Sequence, residues 1–183
     1  MMVLTLCCAA CSSLRTGDLL FHVVEQGNRI TDVTPGMIDH VAIYTGNDHV
    51  IEAIPEKGVV TTPLDSLLHR ERGHYVVGRV KRADRQQSVS NARRYLGLPY
   101  DSLYLPDNEA IYCSELVQLS LVDQRGRKLF APVPMTFRNA DGQIPLSWQQ
   151  LYQRHGLPVP EGEPGSNPGE MSQRRQVTIK KLK

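Results

Sequence analysis

Glu109–Val122, EAIYCSELVQLSLV, decides how the rest of the chain is read. An extended approach through Ala110, Ile111 and Tyr112 gives way at Cys113 to an apolar run of Leu116, Val117, Leu119, Leu121 and Val122. So little polar face remains that the spacing predicts a helix buried on most sides. A thiol in the first turn of such a helix feels the positive end of the helix dipole, which favours the thiolate and nucleophilic chemistry. The competing reading of Cys113 is a small core hydrophobe, the usual fate of a buried free cysteine. The two readings part on whether the chain supplies a base and a third group to orient it.

Length and composition set the frame. The 183 residues suit one domain with a full core. Hydrophobic and charged shares of 40% and 22% are those of an ordinary globular chain, and a net charge of +2 gives no basis for nucleic-acid binding. The basic tail Arg174–Lys183 reads as a solvated terminus with a short strand. The cysteines at 7, 8, 11 and 113 make no disulfide framework. Cys8-Ala9-Ala10-Cys11 resembles a lipobox, and the expectation is a lipidated Cys11 attached to the membrane of the cell envelope or periplasm. The apolar run before it is shorter than a normal signal core, so the alternative is an unstructured start on a cytoplasmic protein. The domain division is 1–13 for that segment and 14–183 for the folded body. No stretch reaches the ~20 apolar residues of a membrane helix.

Along the body, Leu14–Val24 reads as a strand entered through a turn at Thr16-Gly17-Asp18, and 26–36 as a loop. Two β-prone runs, Asp39–Tyr44 and His49–Ala53, flank a Gly-Asn turn and make a hairpin. With the turn centred on Gly46, His40 lies directly opposite Glu52 and His49 faces Ile43. Val59–Thr61 is a short strand. Thr62-Pro63-Leu64-Asp65 opens a short helix with Thr62 as N-cap. Tyr75–Val80 is a strand, and Asp84 caps a helix with Val89, Ala92 and Leu96 on one face. Residues 129–138 should be largely irregular, and Ser147–His155 helical with Trp148, Leu151 and Tyr152 at core spacing. The proline- and glycine-rich PVPEGEPGSNPG, 158–169, is expected to be an ordered loop packed on the body, followed by a closing strand over 176–182.

A cysteine hydrolase needs a nucleophile, a base and an orienting group. Cys113 is the one cysteine of the folded body, and His40 sits on a strand with Glu52 twelve residues on. Glu52 would take one ring nitrogen, leave the other for Cys113, and favour the imidazolium. His22, His49, His69, His74 and His155 compete for the base role, but none has an equivalent carboxylate in register, and His22 reads as strand packing. The set Cys113, His40 and Glu52 lacks the short-spaced ligand pairs of a zinc site, so neither metal nor cofactor is expected. The backbone N–H of Cys113 is one oxyanion donor. The hydroxyl of Tyr112 or Tyr44, or another amide, is the candidate for a second. Glu115 reads as a helix cap.

GDLLF (17–21), DHVAIYTG (39–46), VIEA (50–53), LGLPYD (96–101), YCSELV (112–117) and the late PVPEGEPGSNPG (158–169) together resemble the permuted NlpC/P60 papain-like cysteine hydrolases of the YiiX/YebB type. The order histidine before cysteine is that of the permuted branch, shared with lecithin:retinol acyltransferase-like proteins. The resemblance implies an α+β, circularly permuted papain-like fold, with an antiparallel sheet packed on the helix that carries the nucleophile. It implies Cys113 as nucleophile, His40 as base and Glu52 as the third polar residue. It also implies cell-wall peptides as substrate.

Three functions compete. One is a cysteine peptidase or amidase working through an acyl-enzyme. The second keeps the site but acts on a lipid or acyl ester, as a thioesterase or acyltransferase. The third is a non-catalytic envelope binding module. Charged groups able to hold a peptide terminus favour the first and an apolar acyl groove the second, while an unreactive Cys113 marks the third.

Overall fold

Alternating β-branched and aromatic residues build one antiparallel sheet from β1 (Leu19–Val24), β2 (Ile38–Gly46), β3 (His49–Ile54), β4 (Gly58–Pro63), β5 (Gly73–Val80) and β8 (Val177–Lys181), in the order β4-β3-β2-β1-β5-β8. The computed structural model describes residues 14–70, 72–106 and 108–182. The lipobox-like segment with Cys11 lies outside them. The helices are α1 (Leu64–Leu68), α2 (Arg85–Arg93), α3 (Cys113–Ser120), α4 (Leu146–Arg154) and α5 (Pro168–Gln173). The short strands β6 (Val133–Pro134) and β7 (Pro164–Gly165) pair with each other.

Strand alternation sends two sets of side chains to opposite faces. Leu19, Phe21, Val41, Ile43 and Ile51 pack on Leu116, Val117 and Leu121 of α3, so the helix is buried as its sequence requires. Leu20, Ala42, Tyr44, Val50 and Val77 pack on Leu64 and Leu67 of α1. A third cluster of Val33, Met135, Phe137, Trp148 and Tyr152 joins the late segments to the loop after β1. This is an α+β arrangement, with the antiparallel sheet packed on the cysteine-bearing helix as expected.

Several local expectations shift. The hairpin turns at Asn47-Asp48, both at positive φ of 50° and 56°, not at Gly46. A bulge between Tyr44 and Gly46 then sets the register Ile43↔Ile51, and His49 pairs with Gly46 rather than Ile43. On that register Glu52 stands opposite Ala42, and His40 is its diagonal neighbour. The slip is two residues, an even number, so His40 and Glu52 keep a common face. Thr62 does not cap α1: Pro63 is still strand, paired with His49, and the Thr62 side chain hydrogen-bonds Glu52 instead. Asp84 caps α2 as expected, accepting from the Gln87 N–H at 3.0 Å, but the helix stops at Arg93 and leaves Leu96 exposed. The 158–169 stretch packs on the body, and Gly165 passes so close that a Cβ would meet the Met135 sulfur at 2.3 Å. Its end is nevertheless regular. Asn167 caps α5 through the Glu170 N–H at 2.6 Å, with Pro168 at the first helical position.

Candidate active site

Cys113 holds the first position of α3 because Tyr112 before it is extended and the chain closes its first turn on Glu115, whose carboxylate accepts from the Tyr112 N–H at 3.4 Å. The thiol is 5% exposed. Its sulfur lies near enough to the His40 ring to raise the proton affinity of the imidazole. On the far side of the imidazole, Nε2–H donates to Glu52 Oε2 at 2.8 Å, which leaves Nδ1 for the sulfur. A second bulge helps to aim the ring. At β1–β2 the register steps between His22 and Val23, and Asp39 is the extra residue beside His40.

Glu52 is fully buried, and three groups hold it there. His40 takes Oε2; the Arg70 guanidinium straddles both oxygens, with Nη1 donating to Oε2 at 2.9 Å and Nη2 to Oε1; Thr62 adds another bond. Burial alone would push the Glu52 carboxyl up, but the bonds from His40 and Arg70 and the charge on His40 bring it down to about 2. Burial likewise works against a charged His40, yet the hydrogen bonds to Cys113 and Glu52 and the negative charge of both raise it to about 10. Near neutral pH the site holds an imidazolium on an ionised carboxylate. Arg70 carries no sequence signal, since it lies 18 residues from Glu52 and arrives only because α1 docks under the sheet.

Of the other histidines, His22 does have a carboxylate: Nδ1 bonds Asp39 Oδ1 at 2.8 Å, while Asp39 Oδ2 accepts from Asn28 Nδ2 at 2.6 Å. The expectation that no rival histidine is so paired is overturned. Sequence periodicity misses the pair because the bulge turns Asp39 to the face of its cross-strand neighbour. Tyr44 is also corrected. It lies in the α1-side cluster, its hydroxyl accepts from the Asp48 N–H at 3.3 Å, and it is remote from Cys113 in the fold. Tyr112 stays at the site. Its hydroxyl accepts from the Ser166 N–H at 3.0 Å and donates towards the Met135 sulfur at 3.8 Å.

Two adjoining spaces open on the reacting groups. A narrow cleft of about 40 Å³ is lined by Cys113 and by aromatic and apolar side chains, among them Val33, Tyr112, Phe137 and Trp148. A wider compartment of about 420 Å³ is lined by His40 and by charged residues, Arg29, Asp39, Glu56 and Arg70. Ile30, Asp39, Tyr100 and Tyr104 belong to both. Burial, then the charge of Cys113, raises the Tyr100 phenol. Burial is also the main cause that raises Tyr104, to about 12, although its bond with Tyr100 works the other way. Both phenols remain donors at neutral pH. Among the described residues, the buried hydroxyls of Thr34 and Ser114, both on residues lining the cleft, have no hydrogen-bond partner within the protein.

Residues 13–179 match the family described as permuted papain-like amidase enzymes, YaeF/YiiX, C92. The uncharacterized protein YiiX of Escherichia coli (strain K12) is 29% identical over 174 residues, which cover 90% of this chain and 84% of that protein. A crystal structure described as metalloprotein yiiX from Escherichia coli O157:H7 shares the fold, with a TM-score of 0.71 and 24% identity over 92% of this chain and 97% of that one.

Proposed function

Because this chain belongs to the permuted papain-like amidases of the YaeF/YiiX, C92 family, we propose that it hydrolyses an amide or peptide bond through an acyl-enzyme on Cys113. The observation that carries the reading is the meeting of Cys113, His40 and Glu52, with the imidazole bonded to a buried carboxylate at 2.8 Å and interacting with the thiol on the helix start. With its proton already carried by the His40 imidazolium, Sγ adds to the amide carbonyl. The backbone N–H of Cys113, at a helix start where no intrahelical acceptor exists, supports the oxyanion. Tyr112 is the candidate for a second donor. The C–N bond then breaks, the nitrogen takes the proton from His40, and the amine departs. Water, deprotonated by His40, attacks the thioester and releases the acid. Arg70 touches no reacting atom; it positions Glu52.

The description of the Escherichia coli O157:H7 protein as a metalloprotein does not transfer to these residues. The described residues hold no group of three His, Cys, Asp or Glu side chains placed to share an ion, and the Glu52 oxygens are taken by His40 and Arg70. No step is routed through a metal.

The aromatic cleft favours a second reading, hydrolysis or transfer of a lipid acyl group. The buried hydroxyls of Thr34 and Ser114, without a protein partner on the wall of the cleft, suit a peptidyl group with its polar atoms better than a plain alkyl chain. Peptides of the cell wall, reached by an enzyme anchored at the envelope, are the natural substrate on this reading. Trapping the acyl-enzyme by mass spectrometry tests it. A peptide amide or activated ester should add its acyl mass to Cys113 in the wild type and not in His40→Ala. A Cys113 that alkylates slowly at neutral pH and never acylates would instead mark a binding module.

A further inference from the structure

We propose that the two spaces divide the substrate at its scissile bond. On this assignment the aromatic cleft holds the acyl side, and the charged compartment holds a leaving amino acid whose carboxylate meets Arg29. The inference rests on the amidase reading and adds orientation and substrate class to it.

The two reacting groups open into different spaces: Cys113 lines the cleft, and His40 lines the compartment. In acylation the carbonyl carbon becomes bonded to Sγ, so the acyl group must extend where the sulfur opens. The C–N bond breaks as the nitrogen receives the proton from His40, so the amine must leave on the side where the imidazolium opens. The two walls differ in chemistry in the matching sense. Phe137 and Trp148, packed edge-on at 5.0 Å between ring centroids and each under 5% exposed, give the narrow cleft an apolar wall. The compartment offers charges instead.

Those charges can be sorted. Arg70 is bound to Glu52, and Asp39 to His22 and Asn28. Arg29 has no ion-pair partner among the described residues. Its guanidinium lies 4.7 Å from the centre of the Trp148 ring, and its carbonyl accepts from Trp148 Nε1–H at 3.2 Å. The cation is therefore held at the boundary of the two spaces without a carboxylate of its own. A guanidinium is the natural receptor for a carboxylate. Asp39 and Glu56 on the same wall oppose a second negative charge, so the leaving residue carries no acidic side chain. The substrate class that results is a peptide with an apolar acyl residue, cleaved ahead of a free C-terminal amino acid.

The test uses binding to the full-length Cys113→Ala protein, read by fluorescence of Trp148, the one tryptophan of the chain. N-acetyl-Phe-Gly should bind about tenfold or more tighter than N-acetyl-Phe-glycinamide, which lacks the carboxylate. It should also bind about tenfold tighter than N-acetyl-Gly-Phe, which has the same charge with the aromatic group on the leaving side, each tenfold being about 1.4 kcal/mol. In Cys113→Ala/Arg29→Met the preference for carboxylate over carboxamide should fall to within about threefold, while Cys113→Ala/Arg29→Lys keeps most of it. Equal affinity for the two sequence isomers overturns the orientation. A carboxylate preference that survives Arg29→Met, or no binding of N-acetyl-Phe-Gly, overturns the assignment of Arg29. None of these readouts needs turnover, so a failed acyl trap with intact binding would sink the proposed reaction and not the recognition.

Discussion

Two histidine–carboxylate pairs sit side by side in the sheet, and only one has the makings of a catalyst. His22 and His40 face each other across β1 and β2. Each holds an acid at 2.8 Å, Asp39 for His22 and Glu52 for His40. The difference lies in the rest of each ring. His40 gives its second nitrogen to Cys113 at a helix start. His22 is 1% exposed, stacks on Tyr75 with centroids 5.0 Å apart, and belongs to the packing of the sheet. Their acids differ as well, since Glu52 is locked by Arg70 and Asp39 by an asparagine. A buried histidine on a carboxylate is therefore no mark of catalysis by itself; what the second ring edge meets is.

The two pairs part most cleanly at the imidazoles. His40→Ala should lower kcat/KM on a peptide amide by on the order of 10³-fold, the scale of losing a general base. His22→Gln should leave alkylation of Cys113 by iodoacetamide within about threefold of wild type while lowering stability by roughly 1–3 kcal/mol, the cost of a disrupted buried polar pair. Equal loss of reactivity in the two variants would erase the distinction between them. The acids sharpen the contrast next. Glu52→Gln should slow alkylation of Cys113 at neutral pH by about tenfold or more, because the imidazolium loses its counter-charge. Arg70→Met should act in the same direction but less, since Glu52 itself remains; an unchanged rate in both would remove Glu52 from the site.

Stability against pH gives the smallest effect. His40 is raised from its ordinary 6.5 to about 10, so its contribution is complete below 6.5 and is lost as pH climbs through 10. Glu52 is lowered from 4.5 to about 2, so its contribution is complete above 4.5 and is lost as pH falls towards 2. Thermal unfolding should show a stability maximum between those limits, with the alkaline decline weakened in His40→Gln and the acid decline weakened in Glu52→Gln. A flat profile in the wild type would contradict both shifts.

Much of the site was legible because its signals are local. Cys113 stands at the border between an extended run and an apolar helix, and period-two alternation puts His40 and Glu52 on one face even when the hairpin register is misjudged by two. Arg70 and the His22–Asp39 pair were not legible. Arg70 reaches Glu52 only through the docking of α1, and Asp39 faces His22 only through a bulge, an extra residue that alternation cannot foresee. Thr62 misled for a related reason: its spacing suits a helix cap, but a buried carboxylate nearby is the stronger acceptor for its hydroxyl.

The amino-acid order by itself pointed to the sheet, the interior helix and, through the family resemblance, the candidates Cys113, His40 and Glu52, because strand alternation and helix spacing are patterns within a few residues. Tertiary structure alone decided how those three approach one another, that Tyr44 lies in the other cluster, and which cation braces the buried acid. Those depend on how separate elements dock, and no local periodicity encodes where elements cross.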